Sequence, residues 1–286
     1  MDKEYDLVMV VTCTSSGYIE KMIESVVENN AHIQVLIVAL LQNRVRMDVK
    51  GTEYVSIHYI NSNELMSLSR ARNIALDYVD EKMIKYRYVM FPDDDSSFDR
   101  FFFENFRKSV KACSLIDVYG TGTRILYKAH KMTDKQRLSI KDHVNAMSVN
   151  MIISSDVQMK VGKFDENLGV GTYYGAGEDC DYFLRCLENG AEFYYVKDLW
   201  NYHPLNAAKL SDLPFKVLKK RYQSYGRGAV YMFLKHEMRN DAGKCILGGI
   251  GGIVISLIKF DPKMALVRGF AVKERIKTYI SFNKGN

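Results

Sequence analysis

The chain has 286 residues, enough to bury a substantial core, and a composition of 47% hydrophobic and 26% charged residues excludes global disorder. Four prolines, no low-complexity tract and no internal repeat exclude a solenoid. The net charge of +6 is uneven: from Lys209 onward 16 Lys and Arg face 5 Asp and Glu, while the preceding part holds 24 basic and 29 acidic residues, so an acidic body carries a basic tail.

Cys13, Cys113, Cys180, Cys186 and Cys245 are scattered, odd in number and without a C-x-x-C pair, which reads as buried free thiols in a reducing compartment. The N-terminal MDKEYDLVMVV runs straight into a strand and lacks the pattern of a secretory signal.

Tyr5 to Thr12 is a continuous apolar run, the pattern of a strand covered on both faces, and Ser15, Ser16 and Gly17 break it. Ile19, Met22, Ile23, Val26 and Val27 then form the stripe of a helix packed on a sheet. Strands are predicted at Ile33 to Leu41 and Tyr54 to Ile60, a helix from Leu68 to Met83, and a strand from Tyr86 to Phe91 that stops at Pro92-Asp93-Asp94-Asp95. Strand and helix periods alternating over about the first 110 residues predict an α/β fold with an open, mainly parallel sheet, whose ligands bind beyond the carboxyl ends of the strands. The middle section adds short strands such as Val118 to Ile125 and a helix from Glu178 to Glu188 closed by Asn189-Gly190.

Three adjacent carboxylates repel one another, so Asp93, Asp94 and Asp95 cost stability unless a cation is present. In extended chain Asp93 and Asp95 share one side, and two oxygen ligands there suit Mg²⁺ or Mn²⁺ held together with substrate phosphates. The alternative is a solvated acidic turn that caps the helix beginning near Phe101.

Gly169, Gly171, Gly175 and Gly177 lie in VGKFDENLGVGTYYGAGEDCD, which is neither a G-x-G-x-x-G nor a G-K-[ST] loop. The loop delivers Glu178 and Asp179 to the start of a helix. Asp179 heads a face shared with Phe183, Cys186 and Leu187, so it is predicted to face inward with its pKa tending upward, as a general base requires. Alternatively both acids merely complement the positive end of the helix. A diphosphate needs further positive charge, and Arg72 with Asn73 is the candidate, Arg70 being assigned to the surface. His203, in NYHP after a predicted strand, can reach a metal or a phosphate or can be a solvated loop histidine. The other five histidines receive no role.

The segments VVTCTSSG, ARNIAL, FPDDDSSF, VGKFDENLGVGTYYGAGEDCDYFLR and NYHP occur in order over roughly residues 5 to 205. This ordered set resembles the inverting family 2 glycosyltransferases of the bacterial polysaccharide or capsule type, which have a GT-A nucleotide-sugar fold. The resemblance implies a catalytic domain over 1–208, divided into a nucleotide-sugar half (1–110) and an acceptor half (111–208). Asp93 and Asp95 would hold the donor diphosphate through Mn²⁺ or Mg²⁺, and His203 would complete that metal site. Asp94 would lie by the donor ribose or sugar, and Thr12 would line the base pocket. Asp179 would deprotonate the acceptor hydroxyl, with Glu178 orienting acceptor or base. One departure is visible. Members commonly close the second strand with an acidic pair, but this chain reads IVALLQNRVR there, leaving Gln42 or Asn43 to substitute. UDP remains the expected nucleotide.

In the tail, Arg227 between two glycines reads either as a clamp on a phosphate or acceptor or as an ordinary surface turn. Cys245 to Ile258 is uncharged, short of the ~20 residues of a spanning helix and flanked by lysines. Residues 209–286 are therefore expected to form a helical, basic region lying on an anionic membrane face, with a small bundle or dimer contact as the rival. The expected activity is transfer of a sugar from a nucleotide-diphosphate donor to a saccharide or lipid-linked saccharide acceptor at the inner face of the cell membrane. No nucleic acid is expected as partner; homo-oligomers are possible. The competing classes are a sugar-phosphate nucleotidyltransferase, which would want a basic glycine-rich loop after the first strand, and a non-catalytic saccharide-binding module.

Overall fold

The computed structural model describes residues 3–128, 130–205 and 213–285, with side chains to 282. The expected domain boundary at 208/209 lies outside these residues. The chain divides into two compact units, one comprising 1–66, 70–163 and 182–205 and the other 67–69, 164–181 and 206–286.

The first unit is an α/β layer structure around a seven-stranded sheet. Its elements are β1 (Glu4–Cys13), α1 (Ser16–Asn29), β2 (Val35–Leu41), β3 (Val55–Asn61), most of α2 (Leu68–Glu81), β4 (Lys85–Met90), α3 (Arg100–Ser109), β5 (Cys113–Gly120), β6 (Met151–Ser154), α4 (Ser155–Val161), the end of α5 (Glu178–Glu188) and β7 (Phe193–His203). Strand order is β3-β2-β1-β4-β6-β5-β7. β3, β2, β1 and β4 are parallel, β6 is antiparallel to both neighbours, and β5 and β7 are parallel to each other. The sheet is thus mixed through a single reversed strand.

The apolar runs explain why β1 and β2 lie inside the sheet and not at its edge. Leu7, Met9, Val11, Ile37 and Ala39 join one core cluster with Ile19, Met22, Ile23 and Val26 of α1 and Phe102, Phe103 and Phe106 of α3. Val8, Val10, Leu36, Val38 and Leu40, pointing the other way, are buried too. The strand predicted over Val118 to Ile125 lies earlier, over Cys113–Gly120. The chain turns at Gly120, where Thr123 donates back to the Gly120 carbonyl through both its amide and its hydroxyl. A β-bulge between Ile116 and Asp117 shifts the β5–β7 register, so that Gly120 pairs with His203.

Among the described residues, the second unit contains the glycine loop, the first turn of α5 and three helices, α6 (Phe215–Lys235), α7 (Arg239–Ile258) and α8 (Pro262–Gly285). Val230, Leu234 and Ala242 form its small core with Phe233, Ile246, Tyr279 and Phe282. Gly226 lets α6 approach the Ala271 backbone of α8, where a Cβ would stand 2.8 Å from the Ala271 carbonyl oxygen. Arg227 lies within α6 and not in a turn. It pairs with Glu274 at 2.8 Å, donates from Nε to the Tyr173 carbonyl and sits over the Tyr173 ring.

Candidate functional site

In the first unit the aspartate run follows β4 through Phe91 and Pro92, both buried. The chain does not stay extended there. The Ser96 amide donates to the Asp93 carbonyl, closing a turn over Asp93–Ser96. Ser97 then pairs with Tyr202 by two main-chain hydrogen bonds of 2.9 Å, which fastens the turn alongside the end of β7. The acidic run does not cap the next helix either: Asp99 does, accepting from the Phe102 amide, and Tyr202 donates its hydroxyl to the same carboxylate.

This folding delivers Asp93 and Asp95 to His203, which is the last residue of β7 and not a loop residue. His203 Nε2 lies 3.0 Å from Asp95 Oδ1 and 3.4 Å from Asp93 Oδ2. Nδ1 donates to the Pro204 carbonyl at 3.0 Å, which orients the ring so that Nε2 is the atom presented to the carboxylates. Burial by itself would lower the imidazole pKa, but hydrogen bonds to Asp93 and Asp95 and their charge outweigh it and push it up to about 10. The three residues offer ligand atoms within 4.8 Å of one another, a group that could hold a metal ion. Two carboxylates and one imidazole make a mixed oxygen and nitrogen set, which fits Mn²⁺ better than oxygen-demanding Mg²⁺.

Arg72 adjoins this cluster. It is 1% exposed, donates from Nη2 to Ser148 Oγ at 2.7 Å, and reaches Asp93 Oδ1 at 3.3 Å. Asn73, next on α2, is also buried, while Arg70 is exposed. At the end of β1, burial and then the charge of Asp94 push the Cys13 thiol up to about 11. Thr12, half-buried, pairs with Leu40 in the same strand end. Gln42 accepts the Met66 amide through its side-chain carbonyl at 2.8 Å, which commits that oxygen to the main chain, while Asn43 is exposed.

Glu178 and Asp179 belong to the second unit. Glu178 is 7% exposed and Asp179 half-buried, so the first of the pair is the more enclosed. Their loop is stapled locally: Ser69 donates its hydroxyl to the Leu168 carbonyl at 2.6 Å, and the Leu68 amide donates to the Val170 carbonyl. Gly177 adopts φ +95°, and a Cβ on it would stand 3.1 Å from Met232 Cβ. The sequence reading missed a carboxylate that is 0% exposed, Asp181. Lys235 Nζ stands 2.6 Å from it and 2.7 Å from Asp165, and His236 Nε2 stands 3.0 Å from it. The acid was visible in EDCD, but Lys235 and His236 lie more than 50 residues on, with nothing local to link them.

No protein-family model and no curated protein matches the chain. Solved structures do. The S. aureus TarS fragment 1–349 aligns over 98% of this chain and 92% of its own length, with a TM-score of 0.52 at 14% identity. The same fragment in complex with UDP-GlcNAc gives 0.53 at 13% identity over the same coverage. The mannosyltransferase PcManGT from Pyrobaculum calidifontis, in complex with GDP-Man and Mn²⁺, aligns over 96% of this chain and 87% of its own, with a TM-score of 0.54 at 10% identity. The chain has a glycosyltransferase-like fold. At these identities the likeness is one of architecture.

Proposed function

We propose that this protein is a metal-dependent inverting glycosyltransferase with a GT-A fold, of the family 2 type, which moves a sugar from a nucleotide-diphosphate donor, UDP-linked in the first instance, to a saccharide or lipid-linked saccharide in surface polysaccharide synthesis. The observation that carries the proposal is the Asp93–Asp95–His203 cluster at the carboxyl end of the sheet, with the buried guanidinium of Arg72 against it. The cocrystallised ligands of the similar structures, UDP-GlcNAc in one and GDP-Man with Mn²⁺ in another, support the donor class.

In this reading Asp93, Asp95 and His203 hold the cation, which when bound supplies Lewis-acid stabilisation of the departing diphosphate. Arg72 adds a fixed positive charge in a site where burial strengthens it. Thr12, Asn73 and Asp94 contact the nucleoside and sugar. Asp179 takes the proton from the acceptor hydroxyl as it attacks the anomeric carbon, and Glu178 orients it. Residues 1–208 form the catalytic domain, and residues 209–286 hold the protein to the cytoplasmic face of an anionic membrane.

The test is a screen of nucleotide sugars for hydrolysis that requires Mn²⁺ and is lost in Asp95→Ala. Metal-independent turnover, or turnover untouched in Asp95→Ala, would sink the reading. No activity on nucleotide sugars, together with saccharide binding, would favour the non-catalytic alternative.

A further inference from the structure

α7 has two unlike faces. One carries Cys245, Gly249, Gly252 and Ser256 and is covered by α8: Arg275 donates to the Cys245 carbonyl at 2.7 Å, Arg268 donates to the Gly252 carbonyl, and a Cβ on Gly249 would stand 2.7 Å from a Val272 methyl. The other face is bare. Leu247, Ile250, Val254, Ile255, Leu257 and Ile258 are all exposed, the last at 70%, and Phe260 at the α7–α8 turn is 93% exposed. No charged residue occurs between Lys244 and Lys259. So long an uninterrupted apolar face on a soluble surface calls for a partner.

The charges around it identify that partner. Lys244, Lys259 and Lys263 bracket the bare face, Lys273 and Lys277 are exposed on α8, and the balance from Lys209 onward is +11. A second copy of so basic a surface would repel the first; an anionic lipid bilayer attracts it. Length and composition alone would let α7 cross a membrane. Its packing forbids that, because α8 runs against it and would carry Arg268, Lys273, Glu274, Arg275 and Lys277 into the hydrocarbon with it.

Resting on the membrane association proposed above, we infer that the α7–α8 hairpin lies in the plane of an anionic bilayer. The face of Leu247, Ile250, Val254 and Leu257 enters the headgroup–acyl boundary, Phe260 anchors the hairpin end, and the α8 lysines meet lipid phosphates.

Two tryptophan probes, Ile250→Trp and Phe260→Trp, each introduced into the full chain, test this with phosphatidylcholine vesicles made with and without phosphatidylglycerol. Wild type, with Trp200 alone, is the reference. Both probes are expected to blue-shift only with phosphatidylglycerol present, to reverse in high salt, and to be quenched best by lipids brominated near the glycerol. Val254→Asp with Leu257→Asp should cut partitioning about tenfold or more, since both residues are exposed in the folded chain. Deep quenching at 250 with shallow quenching at 260 would mean a spanning helix, because the helical stretch from Ile250 to Ile258 alone rises about 12 Å, and would overturn the inference. So would blue shifts that depend on protein concentration without vesicles, the mark of a second copy. Binding of wild type with both probes silent overturns the hairpin orientation alone. No binding of wild type at all overturns the membrane association as well, and Mn²⁺-dependent nucleotide-sugar hydrolysis, measured separately, is untouched by either result.

Discussion

His203 Nε2 and Asp95 Oδ1 stand 3.0 Å apart at the end of β7, so a proton and a divalent cation compete for one position. With the imidazole pKa pushed up to about 10 by its carboxylate neighbours, the metal-free site is protonated at pH 7. Metal binding there should expel about one proton per ion, and affinity should rise about tenfold per pH unit up to that value. Calorimetry of Mn²⁺ binding in buffers of differing ionisation enthalpy measures this directly. No proton release would remove His203 from the ligand set. The sign for stability follows the same shift. Without metal, the contribution of the pair is complete below the ordinary histidine value of ~6.5 and is lost as pH rises toward 10. The melting temperature in chelator should therefore fall over that range more steeply in wild type than in His203→Gln.

Donor binding and proton abstraction are assigned to different residues, and their variants should separate. Asp95→Ala is expected to abolish Mn²⁺-dependent UDP binding. Asp179→Asn should leave it intact while turnover falls roughly 10²–10⁴-fold, the worth of a general base. Calorimetry beside single-turnover kinetics reads both. Full turnover in Asp179→Asn would move the base elsewhere, with Glu178 the first candidate.

Lys235 bridges two carboxylates, one of them fully buried, so its loss strands charge. Lys235→Met should destabilise the chain by about 3 kcal/mol at pH 7, the low end for breaking a buried pair, because Lys235 is 28% exposed. Burial opposes the charge on both Lys235 and Asp165, but their mutual contact wins, raising the lysine pKa and lowering the carboxyl pKa. The contribution of Asp165 is thus present above the carboxylate range and lost as pH falls through its depressed pKa. That of Lys235 is present below ~10.5 and lost as pH rises through its raised one. Urea unfolding of both proteins at pH 3, 7 and 11 should show the gap between them widest at pH 7.

Two helical glycines should respond to alanine with opposite signs. Alanine is the better helix former by about 1 kcal/mol, and Gly243 in α7 has nothing within 4 Å of a built Cβ, so Gly243→Ala should raise the melting temperature. In α6, a Cβ on Gly228 would stand 2.7 Å from the Ala176 nitrogen and closer still to its carbonyl oxygen, which is main chain and cannot swing away. Gly228→Ala should cost about 1–3 kcal/mol, as overpacking does. Equal shifts in thermal melts of the two variants would contradict this packing.

Much of the framework was readable along the chain because the information is local. Continuous apolar runs and stripes of period 3.6 located β1, α1, β2, α2 and β4 within a few residues, and α5 at Glu178–Glu188 as predicted. A strand end followed by three aspartates likewise announced itself, since mutual repulsion makes that arrangement costly without a purpose. The predicted geometry of those acids was wrong in its cause. Asp93 and Asp95 converge through a turn and not through strand alternation, and the turn is pinned by Ser97 pairing with Tyr202, more than a hundred residues later.

What the sequence determined by itself was the alternation of elements, the basic tail and the residue types available for a cation and a diphosphate. Only the tertiary structure decided that Nε2 of His203 meets both carboxylates, that Ser148 shares Arg72 with Asp93, and that Asp181 is buried with Lys235 and His236. The physical reason is range. Periodicity and charge repulsion act between neighbours a few residues apart, whereas these contacts join segments far apart in sequence. Such contacts exist only once burial of the apolar faces has brought those segments together.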